Sequence, residues 1–546
     1  MLSFFLLAST LTGLQVAATS PIVALQYGVF QGKADGNLST FLGIPFAAPA
    51  VRFTLPMAPT SLHGVQNATE FGPACPQQAL TPTPPGLSVP NRNYTSEDCL
   101  TLNVFTPRSA GPHSNLPVFV VRGFEVGGSA DQDVRPIVEH SIATGEPIIV
   151  VTPNYRVSAF GFLAGKEVAD AGITNLGMRD QIFALEWVQQ HIATFGGDPE
   201  RIVIGGVSAG AISVALLLLD NKRFEQSTLF RGAFMVCGSP ITTPSVAQGQ
   251  SDYDGLVTAN NCRGANDTLE CLRRVPLDSF QAAVNNTANI FSFQSLNLVW
   301  RPRVDGEVIV HNPLVSVSKG LFAKIPIISG DADDEGTLFS FSNSNITTND
   351  EFMDYIHSNY LPHSTAEQIA EVSVLYPDDP AEVCNSRPQF NRLAAFQGDW
   401  IFMSTRRFVL EHASKTQNTW SYLSKHGKST PFVGASHGSD MALWFPAANA
   451  TDHRSVDALI NFINTLDPNG SASSHGGATS DIVWPKWDSA SVNGFPLLLT
   501  FSDPNMVNVT AEDFRVDAMK FLYGLLLGAA ETSAWRVQVD EPEWSS

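Results

Sequence analysis

The stretch RIVIGGVSAGAISVALLLL, residues 201–219, decides the predicted fold. Its apolar run at 202–204 is typical of a buried strand, and its small residues followed by leucines are typical of a buried helix. A G-x-S-x-G pattern at 206–210 lies between them, in the strand–turn–helix setting that gives this pattern a chemical meaning. A sharp turn exposes the Ser208 hydroxyl to a base, and the Ala209 amide at the helix start points toward a developing oxyanion. We therefore predict Ser208 as a nucleophile and Ala209 as an oxyanion-binding residue.

Length and charge restrict the class of protein. The chain has 546 residues and a net charge of −20. Length alone predicts roughly three or four domains, although no linker, repeat or low-complexity tract divides the chain. The negative charge disfavours nucleic acid and anionic membranes as partners. No stretch beyond the N-terminal residues is long and apolar enough to span a bilayer, so stable membrane insertion is not expected.

The N-terminal residues resemble a secretory signal. An apolar run is followed by V-A-A at 16–18, which favours cleavage after residue 18 and makes residues 1–18 a signal peptide. The alternative is a buried first strand or helix. Nine N-x-S/T sequons also favour a secreted, extracellular glycoprotein. The sequon asparagines are Asn37, Asn67, Asn93, Asn266, Asn285, Asn345, Asn449, Asn469 and Asn508.

The six cysteines fit disulfides better than a metal site. They are Cys75, Cys99, Cys237, Cys262, Cys271 and Cys384. Their spacing does not resemble a zinc site, and we predict no metal. In an oxidising compartment, the first two and the pair Cys262 and Cys271 can each close a local loop, worth on the order of 2–4 kcal/mol. Cys237 and Cys384 are interpreted as free thiols that are packed rather than reactive.

Strand and helix patterns alternate around the central stretch. Besides the strand and helix described above, strands are predicted at 22–29, 100–105, 118–121, 147–151, 325–329 and 419–423, and helices at 177–195 and 511–530. Helix 177–195 leads through Asp198-Pro199 into the strand before Ser208. This order indicates an α/β fold with a mostly parallel sheet.

A serine nucleophile needs a histidine to accept its proton and an acid to orient that histidine. Glu335 and His437 each lie in a loop after a predicted strand, and such loops converge on one crevice of a parallel sheet. The chain order Ser208, Glu335, His437 is the nucleophile–acid–base order of α/β-hydrolases. Two alternatives remain open on the local pattern. His437 can be a turn residue held by Asp440, and one of the two aspartates before Glu335 can be the true orienting acid.

Five further motifs resemble a known family, the type-B carboxylesterases that include cholinesterases and fungal lipases. They are FLGIPFAAPAVRF at 41–53, EDCLTLNV at 97–104, NYRVSAFGFL at 154–163, NLGMRDQ at 175–181 and FGGDPERI at 195–202. The resemblance implies an α/β-hydrolase fold, with a large, mostly parallel central sheet, flanking helices and insertions. It implies one domain over residues 19–546 and supports both candidate disulfides.

By the same resemblance, Ser208 is the nucleophile, Glu335 the acid and His437 the base. The chain departs from the family after the strand at 116–121, where VRGFEVGG at 121–128 replaces the usual H-G-G-G-F run and is about two residues short. Gly123 and Phe124 are the nearest equivalents of its oxyanion donors, and losing one donor typically costs a hundred- to a thousand-fold in rate.

Two other departures affect the expected specificity. Val207 stands where the family usually has glutamate, which removes a carboxylate beside the nucleophile. The loop between Cys75 and Cys99 lacks the tryptophan of cholinesterases, and Tyr94 is its single aromatic residue. This short, proline-rich loop argues against cholinesterase activity and favours smaller or more soluble esters.

The sequence therefore predicts a secreted serine hydrolase that cleaves a small-molecule carboxylic ester through an acyl-enzyme on Ser208, without a metal or organic cofactor. One alternative is a lipase or sterol esterase acting on long-chain esters. Another is a catalytically weak homologue that binds ligands or proteins, because its oxyanion loop is shortened.

Overall fold

The structure is a computed structural model that describes residues 20–81, 83–84, 95–122, 127–219, 229–378, 389–470, 482–488 and 494–531. Several residues predicted from the sequence lie outside these ranges. They are the signal peptide at 1–18, Asn93, Tyr94, Gly123, Phe124 and Cys384. What the sequence predicts for them stays a prediction, as does the division into a signal peptide and one domain.

The strands form a large sheet and a small one. The strands are β1 (Ile22–Leu25), β2 (Gly28–Gln31), β3 (Lys33–Asp35), β4 (Leu38–Pro45), β5 (Val65–Asn67), β6 (Thr101–Pro107), β7 (Leu116–Arg122), β8 (Ile149–Pro153), β9 (Gly197–Val207), β10 (Gly232–Val236), β11 (Ile327–Ala332), β12 (Thr419–Lys425), β13 (Leu497–Ser502) and β14 (Met506–Ala511). The large sheet has the order β14-β13-β12-β11-β10-β9-β7-β8-β6-β4-β3, and β1, β2 and β5 form the small one.

The centre of the large sheet is parallel. All neighbouring strands from β8 through β7 and β9 to β13 pair in parallel, whereas β3, β4, β6 and β14 pair antiparallel at the two sides. Parallel strands need long crossover connections, and helices supply them. This arrangement confirms the predicted α/β-hydrolase architecture.

Helices cover the sheet. They are α1 (Arg135–Ala143), α2 (Ser158–Phe162), α3 (Lys166–Asp170), α4 (Leu176–His191), α5 (Ala209–Leu218), α6 (Gln250–Ala259), α7 (Thr268–Arg274), α8 (Leu277–Asn285), α9 (Pro313–Ser318), α10 (Asn349–Asn359), α11 (Ala366–Leu375), α12 (Phe390–Gly398), α13 (Ser404–Ala413), α14 (Met441–Trp444), α15 (Arg454–Thr465) and α16 (Val516–Glu531). Short 3₁₀ turns lie at Ile192–Phe195, Val246–Gly249 and Phe339–Asn343, and a π-helical turn lies at Asp399–Met403.

The core has two layers, one on each face of the sheet. Along β7, Val118 and Val120 belong to one buried hydrophobic cluster, while Phe119 between them belongs to the other. Side chains alternate between the faces of a strand, so both faces of β7 are covered. This explains why the central strands read as continuous apolar runs instead of alternating patterns.

Two predicted elements differ from the structure. The predicted strand at 22–29 is divided into β1 and β2, which form an antiparallel hairpin across residues 26–27. The predicted helix at 511–530 begins only at Val516, because β14 occupies 506–511 and pairs with β13. In both places an apolar pattern continues through a turn that local periodicity does not reveal.

The disulfides and sequons that underlie the prediction of secretion can be located in the structure. Disulfides join Cys75 to Cys99 and Cys262 to Cys271, and Cys237 is a buried free cysteine. Eight of the nine sequon asparagines lie in the described ranges, and all eight are exposed. Among the described helices, none is both long and apolar enough to cross a membrane.

Candidate active site

The predicted site residues meet at the carboxyl ends of neighbouring parallel strands. Ser208 directly follows β9, Glu335 lies three residues after β11, and His437 lies in the loop after β12. The strands β9, β10, β11 and β12 are consecutive neighbours in the sheet. Loops at this edge of a parallel sheet converge on one crevice, which is where such folds bind ligands.

Ser208 stands on a tight turn between β9 and α5. Its backbone has φ 56° and ψ −124°, a conformation that costs on the order of 1–3 kcal/mol for a residue with a side chain. Its carbonyl accepts the first helical hydrogen bond from Ile212 N at 2.9 Å. A Cβ atom at Gly206 would lie 2.3 Å from the carbonyl carbon of Gly210, so only glycine lets strand and helix pass this closely.

A continuous hydrogen-bonded path joins the three predicted residues. The Nε2 atom of His437 lies 2.7 Å from Ser208 Oγ. The Nδ1 atom of the same imidazole lies 2.5 Å from Glu335 Oε2. The structure thus brings Ser208 and Glu335 to His437, although they lie 229 and 102 positions before it in the chain.

Glu335 and the two aspartates before it have different partners in the structure. Glu335 is buried, and its second oxygen, Oε1, accepts a 2.7 Å hydrogen bond from Ala332 N at the end of β11. Asp333 and Asp334 instead pair with the Nζ atom of Lys428 at 2.6 and 2.7 Å. Geometrically, therefore, Glu335 and not either aspartate faces the imidazole.

The surroundings of His437 favour its protonated form. Burial lowers the pKa of His437, but the Glu335 carboxylate and its hydrogen bond, together with the charges of Asp440 and Asp331, raise it by more, and the net pKa lies above the ordinary value. Two aromatic rings, Phe402 and Phe339, lie against the imidazole with centroid distances of 4.6 and 5.2 Å. The ring is therefore fixed by packing as well as by hydrogen bonds.

Two further residues, Cys237 and Asp440, lie at the site. The sequence assigned Cys237 no part in it and offered Asp440 only as the partner of His437 in the alternative turn. Cys237 directly follows β10, and its Sγ atom lies 3.2 Å from Asp440 Oδ1. The other oxygen of Asp440 accepts a 2.7 Å hydrogen bond from the Tyr422 hydroxyl. Burial, followed by repulsion from Glu335, raises the pKa of Asp440 to about 6. Position after a parallel strand, the signal that identified Ser208 and Glu335, also applied to Cys237.

Cys237, Glu335 and His437 are the one cluster in the described ranges whose ligand atoms lie close enough together for a metal, all within 4.8 Å. Both imidazole nitrogens are already hydrogen-bonded. Burial, together with Asp440 and Glu335, raises the pKa of the Cys237 thiol well above its usual value. Metals bind the thiolate form. These residues therefore favour the hydrogen-bonded path over metal ligation.

One oxyanion donor predicted from the sequence can be located. Ala209 is the first residue of α5, where backbone amides at a helix N-terminus attract negative charge. Gly123 and Phe124 lie outside the described residues. The last described residue before them, Arg122 at the end of β7, pairs with Gly206 of β9, two positions before Ser208.

Val207 gives the space beside the nucleophile an apolar wall. It lines a cavity of about 210 Å³ together with Asn154, Met441 and Phe445. A glutamate at this position would add a carboxylate directly before Ser208 in the chain. Valine leaves the residue next to the nucleophile uncharged.

The fold and this arrangement of serine, histidine and glutamate define a hydrolase of the α/β class. Comparison with known proteins gives the family. The Carboxylesterase family model matches residues 19–509, and the chain belongs to that family. It is therefore a carboxylic ester hydrolase, as predicted.

Individual relatives are similar over most of their length. A secreted lipase 1 of Botryotinia fuckeliana is 37% identical over 89% of this chain and 89% of its own. The secreted triacylglycerol lipase LIP1 of Gibberella zeae is 34% identical over 92% and 90%. The crystal structure of Aspergillus niger EstA has a TM-score of 0.79 and 27% identity, covering 93% of this chain and 98% of that one.

Proposed function

We propose that Ser208 is the nucleophile of this ester hydrolase, with His437 as general base and Glu335 as the residue that orients it. The observation that carries the proposal is the path Ser208 Oγ–His437 Nε2 and His437 Nδ1–Glu335 Oε2, at 2.7 and 2.5 Å. The chemistry requires this geometry, because a serine hydroxyl becomes an effective nucleophile only when a positioned base can accept its proton.

In the first half-reaction, Ser208 Oγ attacks the ester carbonyl carbon while its proton passes to His437 Nε2. The imidazolium then gives that proton to the departing alcohol oxygen, which leaves an acyl group on Ser208. In the second half-reaction, water attacks the acyl carbon and loses a proton to the same nitrogen. Ser208 recovers its proton as the carboxylic acid is released.

Glu335 stabilises the charged imidazole in both halves. Its carboxylate faces Nδ1, fixes the tautomer with Nε2 free to act as a base, and is itself held by the Ala332 amide. The Ala209 amide binds the developing oxyanion, and the loop containing Gly123 and Phe124 supplies further donors.

We also propose that the protein is secreted and glycosylated. The eight described sequon asparagines are exposed, the chain contains two disulfides, and two of the relatives are named as secreted lipases. Disulfides persist in oxidising compartments, and glycans need exposed asparagines. Treatment with an endoglycosidase should reduce the apparent mass of the protein recovered from a culture medium.

The preferred substrate is proposed, from the sequence, to be a smaller or more soluble ester, because the proline-rich loop between Cys75 and Cys99 is short. Two relatives are named as lipases, and their names make a lipase acting on long-chain esters the second candidate. Hydrolysis of p-nitrophenyl acetate, butyrate and palmitate separates the two. A rate that is highest for butyrate supports the esterase, and faster cleavage of emulsified long-chain triglyceride supports the lipase.

The same assay tests the chemistry. We expect Ser208→Ala to remove turnover of all three esters while leaving the unfolding transition in place. A well-folded wild-type protein without turnover would instead support the third possibility, a homologue that binds ligands and has lost its oxyanion donors. Turnover that persists in Ser208→Ala would show that another residue is the nucleophile.

A further inference from the structure

The side chain of Gln77 makes two hydrogen bonds with the backbone of Gly127. Its Nε2 atom donates to the Gly127 carbonyl oxygen at 2.8 Å, and its Oε1 atom accepts from the Gly127 amide at 3.1 Å. One side-chain amide thus satisfies both the donor and the acceptor of a single backbone residue. The two residues lie 50 positions apart in the chain, so this contact links two separate loops.

Gly127 is the first described residue after 123–126, the part of the chain that contains two candidate oxyanion donors. At the other end of that part, Arg122 is fixed by its pairing with Gly206 in the sheet. Gly127 has a φ of 142°, and a glycine has no side chain to restrict its backbone. Its position therefore depends on an outside contact, which Gln77 supplies.

The amides that follow are bound to other side chains. Gly128 N donates at 2.7 Å to Asp131 Oδ2, and Ser129 N donates at 2.8 Å to Asn154 Oδ1. Together with the amide of Gly127, all three amides of this segment are engaged within the protein. They are therefore not the donors that an oxyanion requires, since those must be free to bind the substrate oxygen.

Gln77 is itself held firmly. It lies two residues after Cys75, whose disulfide to Cys99 closes the loop. Its carbonyl oxygen accepts a 2.7 Å hydrogen bond from Gln281 Nε2 of α8. The backbone of Gln77 is thus fixed from two sides, and its side chain can transfer that order to Gly127.

We propose that Gln77 is a positioning residue for the oxyanion loop, a role that rests on the proposed catalytic function. Gly127 and Val207, the residue before Ser208, line the same cavity of about 210 Å³. By fixing Gly127, Gln77 sets where the loop ends relative to the nucleophile. This outside anchor compensates for a glycine run that is shorter than the family pattern. A misplacement of about 1 Å can cost on the order of a hundredfold in rate.

Gln77→Met tests the proposal, because methionine has a similar length and makes neither hydrogen bond. We expect kcat for p-nitrophenyl butyrate to fall about thirtyfold while KM changes less than about twofold. Such a split indicates that an interaction in the transition state is lost, whereas a looser binding site would raise KM. Steady-state kinetics and thermal unfolding of the same preparation give both readouts.

A transition-state analogue should show the same loss. Hexyl trifluoromethyl ketone adds to Ser208: the Oγ–carbon bond forms, the serine proton passes to His437 Nε2, and the carbonyl oxygen becomes the oxyanion. Its inhibition constant should rise about thirtyfold in Gln77→Met. Hexyl methyl ketone is the comparison compound, because it binds without forming a stable oxyanion, and its inhibition constant should change less than about twofold.

Gln78→Met is the matched control, because Gln78 is the adjacent glutamine and anchors the same loop elsewhere. It is buried, and its Nε2 atom donates at 2.9 Å to Thr287 Oγ1. We expect a lower melting temperature with kcat within about threefold of the wild type. Equal falls in kcat in Gln77→Met and Gln78→Met would overturn the proposal, because general loosening of the loop would then explain both.

Gly127→Ala changes the other side of the contact and decides the matter if Gln77→Met does not fold. An added Cβ has open space, with Asp131 Oδ2 nearest at 4.0 Å, but a φ of 142° disfavours alanine. This variant should reproduce the losses in kcat and in analogue binding. Unchanged kcat in the folded variant, with Ser208→Ala inactive, would overturn this inference alone. Turnover that persists in Ser208→Ala would overturn the proposed function instead.

Discussion

Two clusters of buried charge each contain an acid from β11 or from the loop directly after it. They differ in the groups at which their hydrogen bonds end. In the first, Arg406 is fully buried between Asp331 and Glu512. In the second, Glu335 faces His437, which in turn contacts the partly buried hydroxyl of Ser208. In both clusters an acid from residues 331–335 binds a nitrogen-containing side chain from another element.

The first cluster is closed, in the sense that its hydrogen bonds end at buried groups. The three guanidinium nitrogens of Arg406 donate to Asp331, Ser421 and Glu512 at 2.6, 2.5 and 2.5 Å. Trp487 Nε1 donates to the other Glu512 oxygen at 2.7 Å. Arginine does not release its proton in proteins, so Arg406 can connect β11, β12 and α13 but cannot act as a base.

The second cluster is open at one end. Histidine changes its charge near neutral pH, and here its free side contacts a hydroxyl group that a ligand can reach. The comparison teaches that burial and pairing of charges do not by themselves indicate catalysis. A buried pair becomes useful for chemistry when its hydrogen bonds end at an accessible group and its base can titrate.

The largest difference between the clusters should appear when His437 is replaced. We expect His437→Gln to lower kcat by about a million-fold, because a serine without its base is a poor nucleophile. Steady-state hydrolysis of p-nitrophenyl butyrate measures the effect. The matched control is His426→Gln, because His426 is an exposed histidine paired with Asp503. Comparable losses in both variants would contradict the assignment of His437 as the base.

Replacement of Glu335 should have the next largest effect. Glu335→Gln should lower kcat by about ten-thousand-fold, because the amide no longer stabilises the imidazolium. The base must be neutral, so kcat/KM rises with pH through the pKa of His437, which lies above its ordinary value. Since the Glu335 carboxylate raises that pKa, the rise should move to lower pH in the variant.

Asp334→Asn provides the control for that experiment, because Asp334 is the adjacent acid and pairs with Lys428. Its pH profile should match that of the wild type, and its kcat should fall less than tenfold. A profile that moves in Asp334→Asn and not in Glu335→Gln would identify Asp334 as the orienting acid.

The closed cluster should affect stability instead of the pH profile. Arg406→Met leaves Asp331 and Glu512 buried without their partner, and we expect the free energy of unfolding to fall by about 3–5 kcal/mol. Arg274→Met, at an exposed arginine paired with Glu270, should lower it by less than about 1 kcal/mol. Urea unfolding measures both changes. A stable Arg406→Met protein would show that this cluster is not structural.

The smallest expected effect concerns Asp440, a buried acid that is hydrogen-bonded to Tyr422 and Cys237. Its carboxylate adds to the raised pKa of His437, but less than Glu335 does. Asp440→Asn should move the rise in kcat/KM to lower pH by less than Glu335→Gln. Cys237→Ala removes the adjacent thiol without changing the charge and should leave the profile in place. An unchanged profile in Asp440→Asn would exclude this electrostatic effect.

Much of the site could be predicted from short segments of sequence. The strand β9, the turn at Ser208 and the helix α5 are local, because the apolar periods and the small residues lie within one stretch. Glu335 and His437 could be selected because each follows an apolar run. The choice between Glu335 and the aspartates before it could not be made locally, since it depends on which carboxylate faces an imidazole about a hundred residues later.

The sequence by itself determined the α/β architecture and the family, because these depend on local periodicity and on motifs. It predicted the three site residues through the resemblance to that family. Only the tertiary structure decided which charged and polar groups are buried next to one another. It brought Cys237 and Asp440 beside the Glu335–His437 pair, and it placed Arg301 and Arg303 together in the wall of one cavity. These features depend on distances between strands and loops remote in sequence, and burial at those distances is what shifts pKa values and leaves donors unpaired.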